Sequence, residues 1–351
     1  MRATIAAGFP TRAMSDHDQR SAQRAGSGPA PLDVAAYAVH ARIGSELAYE
    51  TARHCLLDAL SGGFEALACP DCMRLIGPIV PGATMLGGAR VPGTSYELDP
   101  VQAAFNIGAM IGWRERSDGR PADGCGHPSD SVGGLLAVAD WHSRRQVAVG
   151  GAPLTVRDLL AGMIKAYEIE GVTTCGGGVD APALAHLPGV RVATAAVAAA
   201  MLGGTPAQVV EAVASARSDG AAPGTGRRTP GAGSRPGWAA GDATARGVRH
   251  ALMALAGELG RTVAPAAPDC ENALVRTPRI DTLRTRVPVD FGADGQGCHA
   301  EGASLRLQKF AASVAAHFGA RQAGAIAALV ADPGRLEALS VPEFVAALVR
   351  N

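Results

Sequence analysis

Apolar residues in this 351-residue chain recur at three- and four-residue intervals and almost never alternate. That rhythm suits helices and leaves little material for a sheet. Asp99-Pro100 pairs an N-cap with a first-turn proline, and Val101, Phe105, Ile107 and Met110 follow as one apolar face. Thr155 and Asp158 have the spacing of a capping box ahead of Leu159, Leu160, Met163, Ile164 and Tyr167, with Gly171 expected to stop the run. Residues 191–202 are alanine-rich and end at Gly203-Gly204, and Thr205-Pro206 starts the next helix. Another helix is expected over 242–260, with Val248, Leu252, Leu255 and Leu259 on one side. Helical spacing returns over 303–318, 320–330 and 341–349. Ala195, Ala196, Ala198, Ala199 and Ala200 let neighbouring backbones approach, so that stretch reads as a buried central helix.

The pattern divides the chain into four parts. Residues 1–32 mix Arg, Ser, Gly, Pro and Asp without periodicity and read as a disordered leader. Residues 33–268 form the helical domain. Residues 269–302 are irregular, with a short strand expected at 286–291, and residues 303–351 return to helix. Residues 221–237, full of Gly, Pro and Arg, read as a loop.

Charge narrows the range of partners. The chain carries 32 basic and 32 acidic residues and a net charge of zero. Neither nucleic acid nor an anionic membrane is expected as a generic partner, since both call for a basic surplus. The longest apolar run, 192–202, is too short to span a bilayer. Seven cysteines, an odd number spread thinly, read as free thiols in a reducing cytoplasm. Only Lys165 and Lys309 are lysines, a bias that fits a GC-rich genome rather than a special function.

Chemistry concentrates between Trp113 and Gly134, where a polar, glycine-rich segment separates two apolar helices. His127-Pro128 holds an imidazole in a restrained turn directly before a helix start at Ser129 and Asp130. Free N–H groups there favour an anion such as a substrate carboxylate. With Glu115 and Asp118 upstream, His127 is a candidate acid/base group; the alternative is a capped turn whose histidine bonds a neighbour.

His127-Pro-Ser-Asp130 before Gly133-Gly134 resembles the MmgE/PrpD family. So do Cys55-Leu-Leu-Asp-Ala-Leu60, Gly77-Pro-Ile-Val-Pro-Gly82, Arg90-Val-Pro-Gly-Thr94 and the run from Leu98 to Met110. Gly162 to Ile169, Trp238 to Thr244 and the closing stretch from Arg335 to Phe344 continue the likeness in the same order. The resemblance implies a mainly α fold: a large all-helical domain made by the N-terminal part and the last helices, here with a reduced remnant of an inserted α+β domain. It implies a homodimer whose active site lies in the cleft between domains. The implied activity is a carbon–oxygen lyase that dehydrates a tricarboxylate, 2-methylcitrate or citrate, to the cis-aconitate-type product in propionate catabolism, without an iron–sulfur cluster or other cofactor and without a metal. The alternatives are a non-catalytic structural or regulatory subunit and a related cis-aconitate decarboxylase or isomerase.

Carried over position by position, the resemblance marks His127 and Asp118 as catalytic, with Glu115 at the family's first acidic position. The family's threonine and tryptophan positions hold Gly119 and Arg120. A second family histidine corresponds to His186, expected as a second acid/base group or carboxylate ligand. Arg227 and Arg235 match carboxylate-binding positions, while Pro236 stands where a lysine is usual. Ser129 and Asp130 complete the expected substrate contacts. Stretches expected of the inserted domain are absent near 268–275 and 294–303.

Other motifs carry less. Cys69-Pro-Asp-Cys72 has redox or metal-knuckle spacing but lacks a second pair and a βαβ setting, which favours an incidental role. Gly176-Gly-Gly178 lacks the Lys-Ser/Thr of a phosphate loop, and His142, His250 and His317 sit inside helical patterns. No Gly-x-Ser-x-Gly elbow surrounds Ser129.

Overall fold

The computed structural model describes residues 31–113, 127–174, 186–219, 238–257 and 300–350. Helices α1 (Pro31–His40) and α2 (Glu46–Ala66) open the described chain, followed by the single turn α3 (Pro70–Met73). Two short strands, β1 (Ala89–Arg90) and β2 (Glu97–Leu98), pair antiparallel with Ala89 opposite Leu98 and Arg90 opposite Glu97. This ribbon was not expected from the sequence, because two residues per strand are too few to show alternation.

Helix α4 (Pro100–Gly112) starts as its sequence predicts: the Asp99 carboxylate accepts the N–H groups of Val101 and Gln102. Helix α5 spans Val132–Ala148 and α6 spans Val156–Thr174. Thr155 and Asp158 close the expected box, each backbone N–H bonded to the other's side chain. Gly171 does not stop α6, which runs three residues further; one glycine costs only about 1 kcal/mol against alanine, and the helix is already long and well packed. Helix α7 (Leu187–Met201) begins four residues earlier than its alanine-rich run, because Leu187 and Val190 pack on Ala239, Ala240 and Ala243. Helix α8 (Pro206–Ser218) opens on a full capping box between Thr205 and Gln208. Helix α9 (Ala239–Ala256) ends earlier than expected, at Gly257, whose left-handed φ of 75° closes the helix. Helices α10 (Ala300–His317), α11 (Ala320–Val330), α12 (Pro333–Ala338) and α13 (Val341–Ala347) follow. The short α12, set by the Asp332 cap and Pro333, is an addition to the sequence reading. Residues 1–30 of the expected leader, the 286–291 strand and most of the irregular stretch expected at 269–302 lie outside the described residues, whereas Pro31 and Leu32, read as the end of the leader, already belong to α1.

Helix α7 is central, packed on α5, α6, α8 and α9. Ala193, Ala195, Ala196, Ala198 and Ala199 are all fully buried there, and Ala200 lies at the edge. Glycines set how closely the helices approach. A Cβ at Gly241 would lie 2.6 Å from both Ala109 N and Phe105 O, and one at Gly247 would lie 2.6 Å from Thr194 Cβ. At Gly133 it would lie 2.5 Å from Gly108 N. Such separations are far inside van der Waals contact, so α4, α5, α7 and α9 meet backbone to backbone.

The residue pairing also fixes direction. Leu187 meets Ala239, Thr194 meets Thr244 and Gly247, and Gly134 meets Thr244 and Val248. Gly108 meets Gly241 near the end of α4. The N-termini of α7 and α9 therefore lie side by side at one end of the bundle, with the C-terminal part of α4 and the entry to α5 packed near them.

The last helices lie on the same body. Val156 N–H donates to Leu339 O at 2.8 Å, Val341 N–H to Leu154 O at 2.8 Å and Arg350 N–H to Thr94 O at 3.0 Å. Phe310 and Phe318 pack beside Phe64, and Lys309 bridges to Asp58 at 2.7 Å. Arg90 clamps the ribbon to α5 through both carboxylate oxygens of Asp140.

Candidate functional site

His127, Ser129, Asp130 and His186 are brought together at the end of the bundle where three helices begin, and all four are buried. The segment 127–131 is a turn: Asp130 N–H donates to His127 O at 3.0 Å and Val132 N–H to Ser129 O at 3.1 Å. Pro128 favours this geometry by removing an N–H and fixing φ. The helix starts later than the sequence reading placed it. Helix α5 begins at Val132, and the Asp130 carboxylate is turned toward α7 instead of capping its own helix.

There it meets His186. Asp130 Oδ2 and His186 Nε2 lie 2.9 Å apart, and their side chains are 2% and 7% exposed. Water does not screen a pair so deeply buried, so the carboxylate fixes the ring orientation and favours a proton on Nε2. His186 sits in turn at the head of α7, where its carbonyl accepts the N–H groups of Gly189 and Val190. The His127 ring stands edge-on to His186, with centroids 5.9 Å apart at 73°. Two imidazoles, one of them gripped by a carboxylate, thus share one buried locus.

The floor of this locus is polar and fully enclosed. Ser131 occupies the N-cap position of α5 yet makes no cap bond. The cap comes from another helix: Thr244 of α9 accepts the N–H of Gly134 at 3.0 Å, donates to Ser131 O at 3.4 Å and lies 3.1 Å from the hydroxyl of Thr194. Both threonines are wholly buried. The Ser131 hydroxyl is itself buried and has no hydrogen-bond partner among the described residues. Sequence reasoning missed Ser131, Thr194 and Thr244. The available signal was a threonine in the middle of two alanine- and glycine-rich helices, where a hydroxyl must find a partner.

A second polar cluster lies one turn along α7. Arg191, almost fully buried, donates from Nε to Ala216 O at 2.8 Å and pairs with Asp219, which also faces Arg246 at 3.4 Å and His250 at 3.2 Å. Desolvation raises the Asp219 pKa, but the His250 hydrogen bond and the charges of Arg191 and Arg246 outweigh it and hold the carboxyl below the usual 3.8. This cluster pins the end of α8, just before residues 220–237, to α7 and α9.

Glu115, Asp118, Arg227 and Arg235, named from the sequence, lie outside the described residues. Those residues contain no group of three or more His, Cys, Asp or Glu arranged to hold a metal ion. A cavity of about 370 Å³ opens between α1, α2 and α6, lined by Tyr37, Arg42, Cys55 and Tyr167. It reaches the histidine segment only at Pro128, and none of His127, Asp130 and His186 lines it. No described helix is long and apolar enough to cross a membrane.

Comparison with known proteins gives a consistent result. The MmgE/PrpD N-terminal domain matches residues 32–270. The chain is 51% identical over 237 residues to a protein of Escherichia coli O157:H7 named 2-methylcitrate dehydratase, covering 68% of this chain and 49% of the relative. It is 50% identical over 243 residues to the 2-methylcitrate dehydratase of Cupriavidus necator, covering 69% and 50%. It is 44% identical over 229 residues to the mitochondrial 2-methylcitrate dehydratase of Yarrowia lipolytica, covering 65% and 44%. The chain thus spans about half the length of the curated relatives it matches.

Proposed function

Because the chain belongs to the MmgE/PrpD family, we propose that it is a carbon–oxygen lyase of the 2-methylcitrate dehydratase type. The observation that carries this reading is the buried pairing of His127 with the Asp130-bound His186, set where α5, α7 and α9 begin. Dehydration of a tricarboxylate needs a base for the C–H proton, an acid for the departing hydroxide and positive potential for the carboxylates. The two imidazoles supply the first two. The two rings touch edge-on, with centroids 5.9 Å apart, so a substrate would meet both from one side, its proton and hydroxyl leaving from neighbouring atoms. Three helix N-termini supply the third requirement, with the unengaged Ser131 hydroxyl beside them.

In this reading His127 performs acid/base work and His186 is the second acid/base group. Asp130 is the positioning residue that holds the His186 ring. Glu115 and Asp118 share protons with His127, while Arg227 and Arg235 hold substrate carboxylates. The reaction needs no iron–sulfur cluster, since protein groups provide both proton transfers. A homodimer in the cytoplasm, acting on 2-methylcitrate or citrate, completes the proposal.

The test is direct. The purified chain is mixed with 2-methylcitrate or citrate, and the ultraviolet absorbance of the conjugated product is followed. His127→Ala is expected to lower kcat by about 10²–10⁴, the range for losing a general acid or base. Absence of product from a folded, helical wild type overturns the reading and leaves a helical body without the chemistry. Undiminished turnover in His127→Ala removes His127 from its role.

A further inference from the structure

The Cys69-Pro-Asp-Cys72 turn is left unused by the proposed chemistry, yet its two thiols occupy opposite environments. Cys69 is partly exposed, and its neighbours Ala68, Pro70, Asp71 and Met73 face solvent. Cys72, three residues on in the same turn, is completely buried in the core. The turn is tight: Met73 N–H donates to Cys69 O at 3.0 Å and Arg74 N–H to Pro70 O at 3.1 Å. Both thiols are reduced. Residues three apart in such a turn bring their Cβ atoms to about 5–6 Å, so a backbone shift of about 1–2 Å in this single surface turn closes a disulfide.

The environments separate the two sulfurs chemically. Cys69 stands at the N-cap position without closing a cap bond. The backbone N–H groups of Cys72 and Asp71 and the Trp113 indole nevertheless face its sulfur and lower its pKa. Burial raises the Cys72 thiol to about 12. An accessible thiol that ionises readily, backed by a buried neutral one, is the division of labour in which one sulfur attacks and the other resolves.

We propose that Cys69 and Cys72 form a reversible dithiol–disulfide site that exchanges with low-molecular-weight disulfides. The Cys69 thiolate attacks one sulfur of RSSR, forming Cys69–S–SR and releasing RS⁻. The Cys72 thiol then passes its proton to a released thiolate, and its sulfur attacks Cys69 Sγ, forming the Cys69–Cys72 bond and expelling a second RS⁻. The protein dithiol loses two electrons and RSSR gains them, giving two RSH. Asp71 and Arg74, which pair with each other on the surface, flank the entry.

The experiment uses the whole reduced chain, glutathione disulfide as the probe, alkylation of remaining thiols and peptide mass spectrometry. The expected result is a Cys69–Cys72 cross-link, lighter by two hydrogens, that glutathione or dithiothreitol reverses. Cys72→Ser is expected to arrest as a mixed disulfide on Cys69, and Cys69→Ser to leave Cys72 unmodified. Circular dichroism confirms that each variant is folded. Should Cys72→Ser fail to fold, the wild type decides alone: iodoacetamide should alkylate Cys69 at least about tenfold faster than buried Cys55 at neutral pH. A stable mixed disulfide in the wild type without the cross-link overturns the proposal. So does no reaction at Cys69, or alkylation of Cys69 no faster than of Cys55.

Discussion

The tertiary cap on α5 gives a sharp prediction. Replacing Thr244 by valine keeps the shape of the side chain and removes its hydroxyl. Three groups then change. The Gly134 N–H, in the first turn of α5, loses the acceptor at 3.0 Å; the Thr194 hydroxyl loses a neighbour at 3.1 Å; and Ser131 O loses a weak donor at 3.4 Å. Thr244 and Thr194 are both wholly buried, so water cannot take over these bonds. A buried N–H left unpaired costs about 1–3 kcal/mol, and the orphaned hydroxyl adds about 1 kcal/mol. The sum, about 2–4 kcal/mol, corresponds to a fall in Tm of roughly 3–5 °C for a chain of this size. Thr244→Ser is the control: it keeps the hydroxyl and loses one methyl group, worth about 1 kcal/mol. Thermal and urea unfolding, followed by far-ultraviolet circular dichroism, measure both. The Thr194→Val/Thr244→Val double variant should cost less than the sum of its singles, since the two share one bond. A valine variant as stable as the wild type, or a serine variant as damaged as the valine one, refutes the reasoning.

Gly241→Ala should be more damaging still, because its new Cβ would meet backbone atoms of Ala109 and Phe105 at 2.6 Å and neither helix can yield locally. The expected outcome is a loss of about 3 kcal/mol or more, or little soluble protein; unfolding near the wild-type midpoint would show that α4 and α9 are free to separate. Acid should weaken the fold through two histidines. Burial, then the charge of Arg53, lowers the His54 pKa below 6.5, and burial, then the charge of Arg145, does the same for His142. The unfolded chain therefore binds protons that the native state resists. Stability is full above pH 6.5 and declines as pH falls below it. The urea midpoint between pH 7.5 and 5.5 measures this, and His54→Gln with His142→Gln should flatten the slope; an unchanged slope would place the acid sensitivity elsewhere.

Local structure was largely legible because its determinants are local. Asp99-Pro100, Thr155 with Asp158, and Thr205-Pro206 start their helices where the sequence places them, since a cap needs only its own next three residues. Boundaries set by packing were not legible. Helix α7 starts at Leu187 because α9 offers it Ala239 and Ala243, and α6 continues through Gly171 because its neighbours hold it. The site follows the same division. His127 and His186 could be named as candidates from residue type and resemblance, but 59 positions of chain separate them, and only helix packing sets their rings 5.9 Å apart. Asp130 was read as part of a helix start, whereas the folded chain spends its carboxylate on His186, from a helix that the sequence order does not place beside it. What the sequence by itself determined was the helical repertoire, its caps and the residue types able to move protons. The tertiary structure decided which polar groups meet, because buried hydroxyls and carboxylates choose partners by proximity in the packed core, and glycine-to-glycine helix contacts set that proximity.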